Sequence, residues 1–202
     1  MSLLGRLHGG FVHTRRVTVL ARHLAQLLPP DAHVLDVGCG DGVLTARLRE
    51  LRPDLRVEGV DVLVRPHTAI PVRLFDGVRI PYDDGSVDVV LMVDVLHHTD
   101  DPTVLLRESA RVARIEVLIK DHLREGFAAR LTLRGMDWVG NARHGVRLPY
   151  TYLSRAEWDR AFDQSRLIVR RWQSALYLYP APASWLFDRS LHFIAALGVE
   201  RC

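Results

Sequence analysis

Val34-Leu35-Asp36-Val37-Gly38-Cys39-Gly40-Asp41-Gly42 joins a short apolar, β-rich run to three glycines at alternate positions. Behind it, Val43, Leu44, Leu48 and Leu51 recur at helical spacing until Pro53, so the segment reads as strand, glycine turn and helix. Glycines there let the backbone bend sharply and approach a ligand, and the helix that starts there presents free amide groups. The spacing is GxGxG, shorter than the GxGxxG that seats a pyrophosphate on a helix terminus, which argues against a nicotinamide-dependent oxidoreductase.

The pattern continues outward on both sides. Upstream, Val17, Leu20, Leu24, Leu27 and Leu28 predict an amphipathic helix over 15–28, closed by Pro29 and Pro30. Downstream, Arg56 to Val60 reads as a strand ending at Asp61, and Val72 to Phe75 as another ending at Asp76, with almost no helix between them. Val87 to Val93 is nearly continuously apolar, as a parallel strand covered on both faces must be. Asp101 and Pro102 supply an N-cap and a proline at the first helical position for a helix running to about Arg114, after which Ile115 to Lys120 is a fifth strand. Strands alternating with helices imply right-handed crossovers and a doubly wound, mostly parallel α/β sheet. After residue 121 the pattern changes. Phe127 to Trp138 has helical spacing, Asn141 to Pro149 reads as loop, and Ser154 with Glu157 forms a capping box for a helix to about Gln164. Leu167–Gln173 and Ala175–Tyr179 are expected as a final strand pair, followed by a covering helix from about Ser184 that Gly198 stops.

The 202 residues correspond to little more than one domain at roughly 150 residues each. We expect one domain over 1–202: the N-terminal helix, a ligand-binding core of about 31–120, a helical insertion or lid of about 121–153, and a C-terminal part, 154–202. Basic and acidic residues nearly cancel, leaving +3, and the arginines stand beside acids, so no nucleic-acid surface is expected. Two cysteines, one of them within the glycine turn, form no disulfide framework and point to a reducing, cytoplasmic compartment. The first 30 residues are interrupted by arginines and do not read as a secretory signal. The longest uncharged run, Trp172 to Phe187, contains two prolines and falls short of the ~20 residues that span a bilayer.

Polar groups at strand ends are the candidates for chemistry. Asp61 ends the second strand, where a carboxylate can accept from both hydroxyls of a ribose, and Asp76 can accept from an adenine amino group. The combination of VLDVGCGDG (34–42), GVD (59–61), FDG (75–77), IPYDDGSVDVVLMVDVLHHTDDP (80–102) and ESARVAR (108–114) resembles a class I S-adenosylmethionine-dependent methyltransferase of the methyltransferase type 11 group, over about the first 120 residues. The resemblance implies a seven-stranded Rossmann-like sheet, with the cofactor's methionine part over Gly38 and Gly40, its ribose at Asp61, and its adenine near Val62, Asp76 and Gly77. Asp36 and Asp94 complete the expected cofactor-binding set. Two features depart from the group: the short connection after Asp61 and the missing glycine pair near Arg114.

A sulfonium methyl is already electrophilic, so transfer needs an aligned nucleophile and a dry site, with no metal. A hydroxyl or protonated amine is helped by a base; His98 is the first candidate and His122, in Asp121-His122, the second, each with the alternative of a merely bracing or loop histidine. The HGVRLPY segment (144–150), with Trp138, Tyr150 and Tyr152 nearby, reads either as ordinary core aromatics or as an aromatic lid over a small apolar acceptor, and His144 has no assignable role. These features together predict methyl transfer to an O, N or C nucleophile of a small molecule, the rival being a cofactor-binding protein without catalysis. Oligomeric state is left open.

Overall fold

The structure, a computed structural model, describes residues 3–141, 149–181, 183–188 and 190–200. Along the chain it forms α1 (Leu3–Leu27), β1 (His33–Val37), α2 (Val43–Leu51), β2 (Arg56–Asp61), β3 (Val72–Leu74), β4 (Val87–Val93), α3 (Pro102–Val112), β5 (Ala113–His122), α4 (Ala129–Asn141), α5 (Arg155–Gln164), β6 (Leu167–Gln173), α6 (Ser184–Phe187) and β7 (His192–Val199). One seven-stranded sheet has the order β3-β2-β1-β4-β5-β7-β6. β7 lies antiparallel between β5 and β6, and the other neighbouring pairs are parallel.

Both sheet faces are covered, and each has its own core. One is built from Leu20, Leu24 and Leu28 of the α1 region and Leu48 of α2 against Val34, Leu91, Leu118 and Ile194. The other places Leu105 and Leu106 of α3 and Trp158 and Phe162 of α5 against Leu35, Val90, Val117, Phe193 and Leu197. β4, buried along its length apart from its second and last residues, shows why its sequence lacks alternation: neither face meets water.

Several local signals act as the chain predicts. The Asp101 side chain accepts from the Thr103 amide with Pro102 at the first helical position. Ser154 and Glu157 form a reciprocal capping box at the start of α5. No helix separates β2 from β3. With no glycine pair after α3, the helix passes into β5 at Ala113 without a linker.

The C-terminal expectation needs correction. Ala175–Tyr179 forms no strand, the helix from Ser184 ends at Phe187, and the partner of β6 is His192–Val199. That segment, HFIAALGV, is buried up to its last residue, so its apolar residues carry no period that separates strand from helix. Gly198, expected as a helix stop, is a strand residue on which the Arg170 side chain rests; a Cβ there would meet Arg170 Nε at 2.2 Å. α1 begins at Leu3, well before the expected residue 15, and β5 runs on to His122. The expected loop 141–149 lies largely outside the described residues, as do His144 and the side chain of Trp138.

Candidate functional site

The strand order reverses between β1 and β4, with β2 outside one and β5 outside the other. Loops leaving the C-terminal ends of such a pair diverge and open a crevice. The glycine turn 38–42 sits there. Gly38, Gly40 and Gly42 have φ of 76°, 61° and 72°, a region that side chains disfavour. Two of them are also closely covered: a Cβ on Gly38 would lie 2.6 Å from Val95 Cγ2, and one on Gly42 2.5 Å from Ile70 Cγ1. Gly40 differs, since only the Arg65 guanidinium comes within 3.5 Å of the equivalent point. That face of the turn is open to a ligand.

Asp61, at the end of β2, accepts from the Gly40 amide at 2.7 Å and the Leu63 amide at 2.9 Å. Its carboxylate therefore ties the glycine turn to the following loop. Val62 and Leu63 are more than half exposed, as are Leu74 and Val78, and Gly77 packs against Val62. Asp76 spends one oxygen on the amides of Val78 and Arg79, which hold its carboxyl below the usual range. Asp36 is buried and accepts from the Thr45 hydroxyl; burial pushes its pKa up to about 7. Burial also raises the free thiol of Cys39.

Next to the turn lies a buried polar cluster that the sequence reading assembles only in part. Asp94 follows β4 with φ 57° and pairs with Lys120 of β5 and Arg16 of α1. Lys120 is fully buried, and its Nζ lies 3.3 Å from Nδ1 of His192, the first residue of β7. Asp121 accepts from the Leu96 and His122 amides at 3.0 and 2.7 Å, and from His97 Nδ1 at 2.7 Å. His122 Nδ1 stands 3.2 Å from that same His97 nitrogen. Lys120 and Arg16 beside Asp94, and the His97 and His122 rings beside Asp121, outweigh burial and hold both aspartates well below the usual carboxylate range, whereas burial pushes Lys120, His122 and His192 down.

These contacts fix the protons. His97 Nδ1 must carry hydrogen, since it faces a carboxylate. His122 Nδ1 also lies 3.6 Å from Asp121 Oδ1 and 3.9 Å from Asp94 Oδ1. Lys120, an ammonium paired with Asp94, has no lone pair, so His192 accepts at Nδ1 and carries hydrogen on Nε2.

The cover over this cluster is aromatic. The Tyr152 ring lies 5.9 Å from His97 and 5.8 Å from His122, with Tyr150 6.2 Å beyond it. Tyr152 packs with Ala129 and Leu133 of α4 and with Leu191. Trp158 of α5 donates its indole N–H to the His122 carbonyl at 3.0 Å.

Of the sequence candidates, Gly38, Gly40, Asp61, Val62 and Gly77 surround the crevice, and Asp94 and His122 meet in the cluster. His98 stands beside it, 4.0 Å ring to ring from His97. His97, Lys120, Asp121, His192 and Arg16 were not among the candidates. Asp121-His122 at a strand end was the readable signal for part of them; His192 was hidden in the expected helix. Asp94, His97 and His122 each offer one ligand atom within 4.8 Å of the others, the set a metal ion would use. Lys120 and Arg16 already neutralise that aspartate.

A family model described as "Methyltransferase domain" matches residues 11–167. The chain belongs to this family. It is 30% identical over 129 residues to 27-O-demethylrifamycin SV methyltransferase of Amycolatopsis mediterranei, a match covering 54% of this chain and 47% of that enzyme. The chain thus spans about half the length of that relative. Among solved structures, the domain superposes on the complex of the Haloferax volcanii Trm112 methyltransferase activator with its methyltransferase (TM-score 0.70, 20% identity, 96% of this chain and 93% of that one). It also superposes on geranyl diphosphate C-methyltransferase of Streptomyces coelicolor A3(2), solved with Mg2+, geranyl-S-thiolodiphosphate and S-adenosyl-L-homocysteine (TM-score 0.61, 16% identity, 89% of this chain and 76% of that one). No described helix is long and apolar enough to cross a membrane.

Proposed function

We propose that this domain methylates a hydroxyl oxygen of a small-molecule acceptor, with His97 as general base. The observation that carries the reading is the Asp121–His97 pair, buried at the strand ends next to the open glycine turn. Gly38 and Gly40 form the floor for the methionine part of the cofactor, with Arg65 over Gly40 suited to its carboxylate. Asp61 turns from the Gly40 amide to the ribose hydroxyls, and the exposed Val62, Leu63 and Val78 cover the adenine beside Asp76 and Gly77. Asp36 supports the turn from beneath. The bound cofactor supplies an electrophilic methyl group.

The protein's own part is alignment and proton removal. Asp121 holds the hydrogen of His97 on Nδ1 and leaves the lone pair on Nε2 to receive the acceptor's hydroxyl proton. A sulfonium held over Gly38 and Gly40 would supply the methyl, its sulfur keeping the bonding electron pair, while His97 takes the hydroxyl proton. Tyr150 and Tyr152 exclude water above the histidines. This assignment moves the base from His98 and His122 to the ring between them. Charge balance favours proton chemistry over a bound metal, because Lys120 and Arg16 occupy the cation positions around Asp94. The name of the rifamycin relative, an O-methyltransferase, supports the choice of oxygen.

Calorimetry with S-adenosylhomocysteine, followed by a screen of hydroxylated acceptors with labelled S-adenosylmethionine, tests the reading. Binding weakened at least tenfold by Asp61→Ala is expected, together with transfer that His97→Gln and Asp121→Asn each lower about 100-fold or more at unchanged S-adenosylhomocysteine affinity. Absence of S-adenosylhomocysteine binding refutes the cofactor site. Turnover that survives His97→Gln removes the base, and binding without transfer to any acceptor supports a non-catalytic role.

A further inference from the structure

The end of the sheet that carries the crevice also carries the most exposed apolar side chains. Among the described residues, the four large apolar side chains with the greatest exposure are Phe127, Trp185, Leu131 and Tyr177, at 92%, 78%, 74% and 70%. Phe127 and Leu131 lie one helical turn apart across the start of α4, in the segment that leaves β5. Tyr177 and Trp185 lie in the connection from β6 to β7, where the expected covering helix is a single turn, Ser184–Phe187. β7 runs antiparallel to both β5 and β6, so β5 and β6 end, and β7 begins, at this one end of the sheet. The two segments meet beneath the surface, where Leu191 packs with Ala129 and Leu133. Single exposed apolar residues are ordinary on a protein surface, whereas several gathered on one rim mark an interaction surface.

We infer that this end of the domain docks on an anionic lipid bilayer, with Phe127, Leu131, Tyr177 and Trp185 entering the interface and Arg130 and Arg134 meeting the headgroup charge.

Charge, side-chain type and area select this partner. Arg130 and Arg134 of α4 are exposed beside Phe127 and Leu131. The acids of the same segments are turned to backbone: Glu125 accepts from the Arg155 amide, and Asp188 from the amides of Leu178 and Tyr179. From Trp172 to Phe187 the chain carries no charge at all. Tryptophan and tyrosine favour the membrane interface, where the ring leaves water and its polar atom stays wet, and attraction to anionic lipid adds to the buried apolar area. Four side chains of this size offer on the order of 600 Å2, less than the ~800 Å2 that each partner of a stable protein interface buries. They also stand on separate pieces, a helix start, a loop and a one-turn helix. A protein partner needs one continuous complementary surface, which a fluid bilayer does not. With this end on lipid, an apolar acceptor reaches the crevice from the bilayer; that consequence, unlike the docking itself, rests on the proposed function.

Flotation of the whole chain, without cofactor, tests the docking. The vesicles are phosphatidylcholine alone, and phosphatidylcholine with phosphatidylglycerol in equal parts. At least tenfold more protein should float with the anionic vesicles, and less as salt rises. Acyl chains brominated near the headgroup should quench Trp185, and Trp185→Phe should remove at least half of that quenching while keeping flotation. Phe127→Ser with Trp185→Ser, and separately Arg130→Gln with Arg134→Gln, should each lower binding about tenfold or more. Ile168→Ser, which alters an exposed apolar residue near the opposite end of β6, should leave it unchanged. All of these side chains are exposed, so an unchanged urea midpoint separates lost docking from lost folding. Equal flotation on the two vesicles, no flotation on either, or flotation indifferent to the serine pair overturns the inference. A dimer in light scattering that the serine pair dissociates overturns it as well. S-adenosylhomocysteine binding by calorimetry is a separate arm: its failure refutes the proposed cofactor site and leaves the docking result standing.

Discussion

Asp36 provides a test of the turn's electrostatics. Its carboxyl is buried beneath the glycine turn, with the Thr45 hydroxyl as donor, and its pKa is raised from the ordinary 3.8 to about 7. A carboxyl raised in the folded state contributes stability that is fully present below its unfolded pKa and is lost as pH rises through the folded one. Between those values the native state holds one proton more than the unfolded chain, so stability falls by about 1.4 kcal/mol per pH unit. Asp36→Asn keeps the shape and an acceptor for Thr45 but cannot ionise. Other groups titrate alike in both proteins, so the difference between them isolates Asp36. Relative to the wild type, the variant should gain about 2.5 kcal/mol in unfolding free energy between pH 5 and pH 8, with no further change above pH 8. Urea unfolding followed by tryptophan fluorescence at pH 5, 6, 7 and 8 measures it. A difference that stays within about 0.5 kcal/mol over this range refutes the argument. It would mean that Thr45 and the amides of α2 keep the carboxylate ionised, placing a second negative charge close to Asp61.

Three further outcomes are expected. Gly38→Ala should lower stability by about 1–2 kcal/mol from its left-handed φ alone, with the Val95 overlap in addition; Val95→Ala in the same chain should recover the overlap part, and additive losses in urea unfolding would refute it. Lys120→Met leaves the half-buried Asp94 with Arg16 as its remaining close cation and should cost about 3 kcal/mol, whereas a neutral effect on the urea midpoint would show that Arg16 suffices. Trp158→Phe removes the bond to the His122 carbonyl and should cost about 1–3 kcal/mol, which thermal unfolding would detect as a drop of several degrees.

How far the sequence was legible follows from how local each signal is. The turn at 38–42 is written in three glycines because the bend needs them at those positions, and the capping box of α5 is complete within four residues. The alternation of strands and helices through β5 was likewise readable, since each element carries its own period or its own stop. HFIAALGV carries neither. Buried on both sides and eight residues long, it fits a buried strand and a short helix equally well, and only the space between β5 and β6 settles the choice. The site divides in the same way. Its glycine half lies within one loop, but the polar half draws Arg16, Asp94 and His97, Lys120 to His122, and His192 from four distant parts of the chain.

The missed strand and the missed site residue have one cause. Strands running with the sheet deliver their last residues to the crevice, as β1 delivers the glycine turn, β4 Asp94 and β5 His122. β7 runs the other way, so it delivers its first residue, and a reading that seeks chemistry after each strand passes over His192. Once there, His192 completes a charge arrangement in which Asp94 and Asp121 face Lys120 and Arg16, with three imidazoles distributing the protons. Buried ion pairs of this kind usually stabilise a fold less than apolar packing of the same volume would. Placing so many charged and titratable groups beneath α1, at the ends of the strands that flank the glycine turn, therefore makes little sense as scaffolding. It makes sense as a means of holding protons at defined nitrogens in a site closed to water.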